Sequence, residues 1–143
     1  MKNHGIPFTH LFSCENDEYA QTTIMANFPP TTLYPDITTR DNSTTPNAEN
    51  YIAGFPFQPL SAAEKQQAFD DAQGRGHIFY DVLDYITKQL PKVFILENVK
   101  GLTTLDNGKH LHKILKALGG ITQGQKPEPA YTIHHEVLNT REH

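Results

Sequence analysis

Four polar features of this sequence fall where short apolar runs end. Glu15 follows "FTHLFSC", Asp36 follows "TTLYP", the turn "PFQ" at 56–58 follows "YIAGF", and Glu97 follows "KVFIL". If the runs are parallel strands, these features lie at carboxyl ends, where open α/β sheets bind ligands. Two carboxylates after consecutive strands suit a nucleoside, because they accept hydrogen bonds from ribose hydroxyls and an adenine amine. The pattern leaves ordinary surface acids as the alternative.

A second candidate chemistry is a metal site built from histidines. His110 and His112 lie two residues apart on a predicted helix, so their side chains diverge. His134 and His135 are neighbours on a predicted strand and point to opposite faces. Cys14 is the single cysteine, which excludes an internal disulfide and a cysteine-rich zinc site. We therefore expect no metal.

Apolar runs alternate with amphipathic segments along the chain. Strands are predicted at residues 8–12, 31–38, 51–55, 92–96 and 131–139, and helices at residues 15–28, 77–90 and 107–120. The run at 51–55 is continuously apolar, which predicts a strand covered on both faces. The alternation of strands and helices predicts an α/β architecture with a parallel sheet.

The order of short motifs resembles the DNA (cytosine-5-)-methyltransferase family. Over residues 8–139 the motifs are "ENDEYAQ", "DIT", "GFPFQPLS", "RGHIFYDVL", "LENVKGL" and "HKILKALG". The glycine-phenylalanine-proline turn and the later "ENV" are highly distinctive of that family. The resemblance implies an incomplete S-adenosylmethionine-dependent methyltransferase fold with a Rossmann-like, doubly wound sheet. Residues 1–143 would be a partial catalytic domain, and the family activity is methyl transfer to carbon 5 of cytosine in DNA, as in restriction–modification.

The resemblance assigns residues to the cofactor. Glu15 is similar to the acid that holds the ribose of S-adenosylmethionine. Asp36 and Ile37 are similar to the adenine contact, and Pro56 lies beside the cofactor in the family. The family's glycine-rich first loop has no counterpart in the sequence. We therefore expect no S-adenosylmethionine binding by this chain on its own.

The resemblance also assigns the catalytic positions. Phe57 stands where the family has its nucleophilic cysteine, with Gln58 beside it, and Glu97 and Asn98 match the glutamate–asparagine pair. In the family a thiolate adds to carbon 6 of cytosine while the acid protonates or hydrogen-bonds ring nitrogen 3. The target base is flipped out of the duplex to reach this site. Phenylalanine has no nucleophilic atom, and Cys14 follows a different strand, so we predict an inactive chain.

The resemblance has a consequence for the sheet. In the family the first strand, which is missing here, lies between the second and fourth strands. We therefore expect two separate strand pairs with exposed edges. Either the strand order rearranges, or another protein chain or self-association covers the edges. A non-catalytic structural or interaction protein inside a larger assembly, such as a virion, is the main alternative function.

The net charge of −4 is unevenly distributed. The lysines between residues 88 and 116 make that part of the chain basic, which suits either a DNA phosphate backbone or a solvated helix face. They are Lys88, Lys92, Lys100, Lys109, Lys113 and Lys116. No apolar run approaches the roughly 20 residues that span a bilayer. We expect an intracellular protein of the cytoplasm, nucleoid or nucleus.

Overall fold

The computed structural model describes residues 7–56 and 78–139. The strands are β1 (Phe12–Cys14), β2 (Thr32–Tyr34), β3 (Asn50–Gly54) and β4 (Val93–Glu97), and the helices are α1 (Glu18–Asn27), α2 (Ile78–Gln89) and α3 (Lys109–Gly119). Short 3₁₀ segments, Lys100–Thr103 and Leu105–Gly108, connect β4 to α3. The predicted alternation of strands and helices is confirmed as far as β4 and α3.

The four strands form two parallel pairs within the described parts of the chain. β1 pairs with β2, aligning Cys14 with Tyr34, and β3 pairs with β4, aligning Gly54 with Glu97. The parallel pairing within each pair is that expected from the sequence. The mixed helix and strand content is therefore confirmed, while a single doubly wound sheet is not formed by the described residues.

The core lies on one face of α2. Val82, Tyr85 and Ile86 are almost fully enclosed, and the ring of Tyr85 lies 4.3 Å from that of Tyr51 on β3. Each fully buried aliphatic side chain stabilises the fold by about 1.5–3 kcal/mol. The amphipathic segment predicted as a helix at residues 77–90 therefore supplies the face that holds the chain together. The rest of the core comprises Phe79, Leu102, Ile114, Leu118 and Ile121.

Local sequence sets the ends of the helices. Asp17 caps α1 by accepting a hydrogen bond from the backbone N–H of Ala20 at 2.8 Å. α2 ends where Leu90 adopts a left-handed backbone conformation, φ 48°, immediately before Pro91. No described helix is both long enough and apolar enough to cross a membrane.

One predicted burial pattern is wrong, and one predicted helix forms without being buried. Ile52 on β3 is 61% exposed, so the face that carries Ile52, Val93 and Ile95 is not covered by any described residue. α1 forms as predicted, but none of its residues is buried, and Tyr19 is 86% exposed. The apolar pattern predicted the correct type of secondary structure in each case, but it does not show which faces of these elements are buried.

The strand predicted at residues 131–139 is absent, and this segment is irregular. The first alternating apolar residues of this segment are partly buried through side-chain contacts, without strand pairing. Tyr131 and Ile133 pack against the core, the ring of Tyr131 lies 4.9 Å from that of Phe94, and its hydroxyl donates to the carbonyl of Pro91 at 2.7 Å. The segment therefore buries one side without pairing its backbone to a sheet.

Candidate active site

The carboxyl ends of β3 and β4 bring two predicted motifs together. Gly54 and Glu97 are register partners, and a methyl group at Gly54 would lie 3.2 Å from Oε2 of Glu97. Such a contact is tighter than side chains normally accept, so the carboxylate occupies the space that the glycine leaves open. No hydrogen bond to the carboxylate of Glu97 is found within the described residues. An exposed carboxylate is thus left facing the end of β3.

Asn98 joins the two turns that follow these strands. Its Nδ2 donates a hydrogen bond to the backbone carbonyl of Phe55 at 2.7 Å, and its Oδ1 accepts one from the N–H of Val99 at 2.9 Å. The ring of Phe55 packs against that of Phe79 at the start of α2, 5.5 Å between centroids. The turn before Pro56 is therefore fixed from both sides.

The chain leaves this turn at Pro56, which is exposed and is the last described residue before a gap. Phe57 and Gln58, the predicted nucleophile position and its neighbour, lie outside the described residues. The structure therefore shows the approach to the nucleophile position, but not the phenylalanine itself. Glu97, Asn98 and Pro56 are the members of the predicted catalytic and cofactor set that it brings to this end of the β3–β4 pair.

The carboxyl ends of β1 and β2 carry the predicted cofactor acids. The N–H of Glu15 donates to the carbonyl of Tyr34 at 3.0 Å, which extends the β1–β2 pairing by one residue. Oε1 of Glu15 accepts from the N–H of Asp17 at 2.9 Å, and Gln21 donates to the Glu15 carbonyl at 2.6 Å. The start of α1 therefore holds Glu15 in place.

Asp36 lies just beyond the end of the neighbouring strand. Its Oδ1 accepts hydrogen bonds from the backbone N–H and from the hydroxyl of Thr38, both at 2.8 Å. Ile37, predicted to contact adenine, is partly buried and packs against the core. Glu15 and Asp36 thus follow adjacent strands, as the sequence predicted.

Cys14 lies beside these acids, at the end of β1. Burial is the main cause that raises the pKa of its thiol, and the carboxylates of Asp36 and Glu15 raise it further, while the charge of Arg40 lowers it. The net effect keeps the thiol protonated near neutral pH. Cys14 therefore lacks the thiolate character of a nucleophile.

The histidines are dispersed, and within the described parts of the chain no three metal-binding side chains cluster. His110 is buried, with Nε2 2.9 Å from Oδ2 of Asp106. His112 instead lines an open cleft of about 410 Å³ with Asn107, Gly108, Lys109 and Lys113. The two helix histidines diverge, as their spacing predicted.

The predicted basic segment is partly neutralised. Lys88 pairs with Asp84 on α2 at 2.8 Å, and Lys92 pairs with Glu49. These two lysines therefore form ion pairs with carboxylates of the same chain. Lys109 and Lys113 line the cleft at the start of α3.

Sequence reasoning missed one residue near the site. Arg40, from a polar loop, is only 8% exposed and lies among three aromatic rings. A lone arginine between threonine and aspartate carries no pattern that predicts burial. Only the folded chain reveals it.

The comparisons with known proteins agree with the motifs. The model of the C-5 cytosine-specific DNA methylase family matches residues 1–143. The type II methyltransferase M.NgoBI of Neisseria gonorrhoeae is 38% identical over 132 residues, which covers 92% of this chain and 38% of the relative. M.BsuFI of Bacillus subtilis is 37% identical over 131 residues, 92% of this chain and 29% of the relative. M.HpaII of Haemophilus parainfluenzae is 43% identical over 122 residues, 84% of this chain and 33% of the relative.

This chain belongs to the C-5 cytosine-specific DNA methylase family. Its homologues are type II methyltransferases, the modifying enzymes of restriction–modification. The chain spans 29% to 38% of the length of these three relatives.

Proposed function

We propose that this chain forms part of the cofactor- and cytosine-binding region of a DNA cytosine-5 methyltransferase, and that Phe57 prevents it from transferring the methyl group. The observation that carries the proposal is the placement of Glu97. Its carboxylate lies against Gly54, next to the turn that leads to position 57. This is the position from which an acid can address the base held beside a nucleophile.

The two carboxylates at the ends of β1 and β2 are hydrogen-bond acceptors that fit the adenosine part of S-adenosylmethionine. Glu15 and Asp36 each commit one oxygen to a local turn, Oε1 and Oδ1 respectively. Their second oxygens make no hydrogen bond to a described residue, so they are available to ribose hydroxyls and to an adenine amine. When bound, the cofactor supplies a methyl group on a positively charged sulfur. Glu15 and Asp36 orient it, with Ile37 and Pro56 as apolar contacts.

The remaining residues act on the target cytosine. Glu97 hydrogen-bonds or protonates ring nitrogen 3, which draws electron density from the ring and prepares carbon 6 for addition. Asn98 holds the segment that leads to position 57 against the end of β4, which carries Glu97. With a thiolate at position 57 the addition would form an enamine whose carbon 5 attacks a methyl group. Phe57 offers only carbon and hydrogen, so no bond to carbon 6 forms and carbon 5 stays unreactive.

A pair of chimeras tests this proposal. The 132 residues of M.NgoBI that align with this chain would be replaced by this chain's sequence, once unchanged and once with Phe57→Cys. We expect methyl transfer to DNA from the Phe57→Cys chimera and none from the unchanged one. The proposal fails if the unchanged chimera is active, or if both chimeras fold and Phe57→Cys restores nothing.

A second candidate is a non-catalytic interaction role, and the exposed apolar face of the β3–β4 pair favours it. Ile52, Val93 and Ile95 are each more than half exposed on this face. We propose that a second copy of the chain covers it in this case. Light scattering would show a dimer that Ile95→Lys converts to monomer, and a monomer at all concentrations would reject the role.

A further inference from the structure

Arg40 is enclosed by aromatic rings from three elements. Its guanidinium carbon lies 5.3 Å from the ring centre of Phe12 on β1, 5.8 Å from Tyr34 on β2 and 5.3 Å from Tyr85 on α2. Cation–π attraction favours a positive charge at such distances. The side chain therefore contacts both strands whose ends carry the cofactor acids, and also the central helix.

Hydrogen bonds fix the loop that carries Arg40 to the same helix. Nε of Arg40 donates to Oδ1 of Asn42 at 3.0 Å. Nδ2 of Asn42 donates to the carbonyl of Asp81 and to Oδ2 of Asp84, both at 3.0 Å, and Gln89 donates to the Asn42 carbonyl at 2.8 Å. The loop is thus attached to α2 near both its beginning and its end.

These bonds leave part of the guanidinium group of Arg40 without a hydrogen-bond partner in the described parts of the chain. Nη2 is buried and has no hydrogen-bond partner among the described residues. The guanidinium is close enough to Cys14 and Tyr51 to lower the pKa of both side chains, against the burial that raises them, while Asp36 and Glu15 raise the pKa of Cys14. A positive charge therefore stands beside Cys14, the last residue of β1, which Glu15 directly follows.

We propose that Arg40 is a positioning residue for the cofactor edge of the β1–β2 pair: its charge holds the strand ends, which Glu15 and Asp36 follow, against α2. This role rests on the proposed assignment of those two acids to S-adenosylmethionine. A side chain needed only to fill space would not require a charge at this position. The effect of the charge of Arg40 must therefore be measured separately from the effect of its volume.

Cys14 reports on that charge, because it is the only cysteine and is partly exposed. The charged and titratable groups around the thiol are Arg40, Asp36 and Glu15, with Tyr51 and Asp81 next to them. Alkylation by iodoacetamide would be followed as a function of pH for the parent chain, Arg40→Met and Arg40→Lys. Only the thiolate reacts, so the rate follows the thiol pKa.

We expect Arg40→Met to move the alkylation profile to higher pH and to slow the reaction at about pH 8 by at least about threefold, a shift of about half a pKa unit. Arg40→Lys keeps the charge and should return the profile towards that of the parent. A purely structural role predicts the opposite sign, since looser packing exposes Cys14 and speeds alkylation.

An unchanged or faster reaction in Arg40→Met overturns the proposal. So does loss of the folded state in both variants, measured by circular dichroism, because the charge retained in Arg40→Lys would then not suffice. The assay contains neither S-adenosylmethionine nor DNA. A negative result in the alkylation assay therefore does not contradict the proposed methyltransferase assignment. If that assignment is wrong, the alkylation rates still report on the charge of Arg40.

Discussion

The side-chain amide of Asn98 donates a hydrogen bond of 2.7 Å to the backbone carbonyl of Phe55. Asn98 follows β4 and Phe55 follows β3, so this bond joins the turns after the two strands. Glu97 and Pro56 are the immediate neighbours of the bonded pair. The geometry of the candidate active site therefore depends on one partly buried amide.

Replacing Asn98 by alanine should destabilise the chain. The carbonyl of Phe55 would lose its partner in a partly buried position, which costs about 1–3 kcal/mol. Urea unfolding would measure the change. Thr22→Ala is the control, because that hydroxyl bonds within exposed α1, and we expect it to stay within about 0.5 kcal/mol of the parent. Equal effects of the two substitutions would contradict the importance of the Asn98 bond.

Gly54→Ala should affect catalysis more than stability. The added methyl group would displace Oε2 of Glu97, the mobile end of an exposed side chain, so the free energy of unfolding should change by less than about 1 kcal/mol. In the Phe57→Cys chimera, however, a displaced acid should slow methyl transfer about tenfold to a hundredfold. Gly119→Ala is the control, since nothing lies within 4 Å of its added methyl group. If methyl transfer by the Gly54→Ala variant were as fast as without the substitution, Glu97 would not be part of the active site.

Asp84 should contribute to the loss of stability in acid. Burial acts to raise the pKa of its carboxyl, but hydrogen bonds from Lys88 and Asn42 outweigh it, and the pKa lies below the ordinary value of 3.8. A depressed carboxyl pKa stabilises the folded chain above the ordinary value, and this contribution is lost as the pH falls through the lower, folded value.

Asp84→Asn should therefore show a shallower fall in the free energy of unfolding between about pH 5 and pH 3 than the parent. Lys88→Met should change the slope in the same direction but by less, because Asn42 still donates to Asp84. Urea unfolding at a series of pH values would measure this. A slope unchanged in Asp84→Asn would show that the pair is fully screened by solvent.

Two isoleucines provide a matched test of which surface is the core. Ile86 on α2 is 0% exposed, and its replacement by alanine should cost about 2–5 kcal/mol. Ile52 on β3 is 61% exposed, and the same change should cost less than about 1 kcal/mol. Thermal or urea unfolding would compare them. A large cost at Ile52 would mean that another surface covers the β3–β4 face in solution.

The sequence predicted the elements around the site because each has a local cause. Asp17 caps α1, the stripe through Val82 and Ile86 defines α2, and carboxylates lie at or just beyond the ends of three strands. The exposure of Ile52 and the irregular path after Tyr131 could not be predicted in this way. They depend on which surfaces meet in three dimensions, and apolar pattern alone does not contain that information.

Arg40 shows the same limit for the site. Its burial depends on Phe12, Tyr34 and Tyr85, which come from separate parts of the chain and meet only in the fold. The predicted replacement of the nucleophile by Phe57 is the reverse case. Phe57 is evident from the sequence once the surrounding motif is identified, although it lies outside the described residues.

The most direct measurement is transfer of a labelled methyl group from S-adenosylmethionine to DNA by the purified chain, free of contaminating methyltransferases. We predict no incorporation into cytosine, because the side chain at position 57 has no atom that can add to the pyrimidine ring. Enzyme-dependent label on carbon 5 of cytosine, above that of a Phe57→Ala variant, would contradict the account.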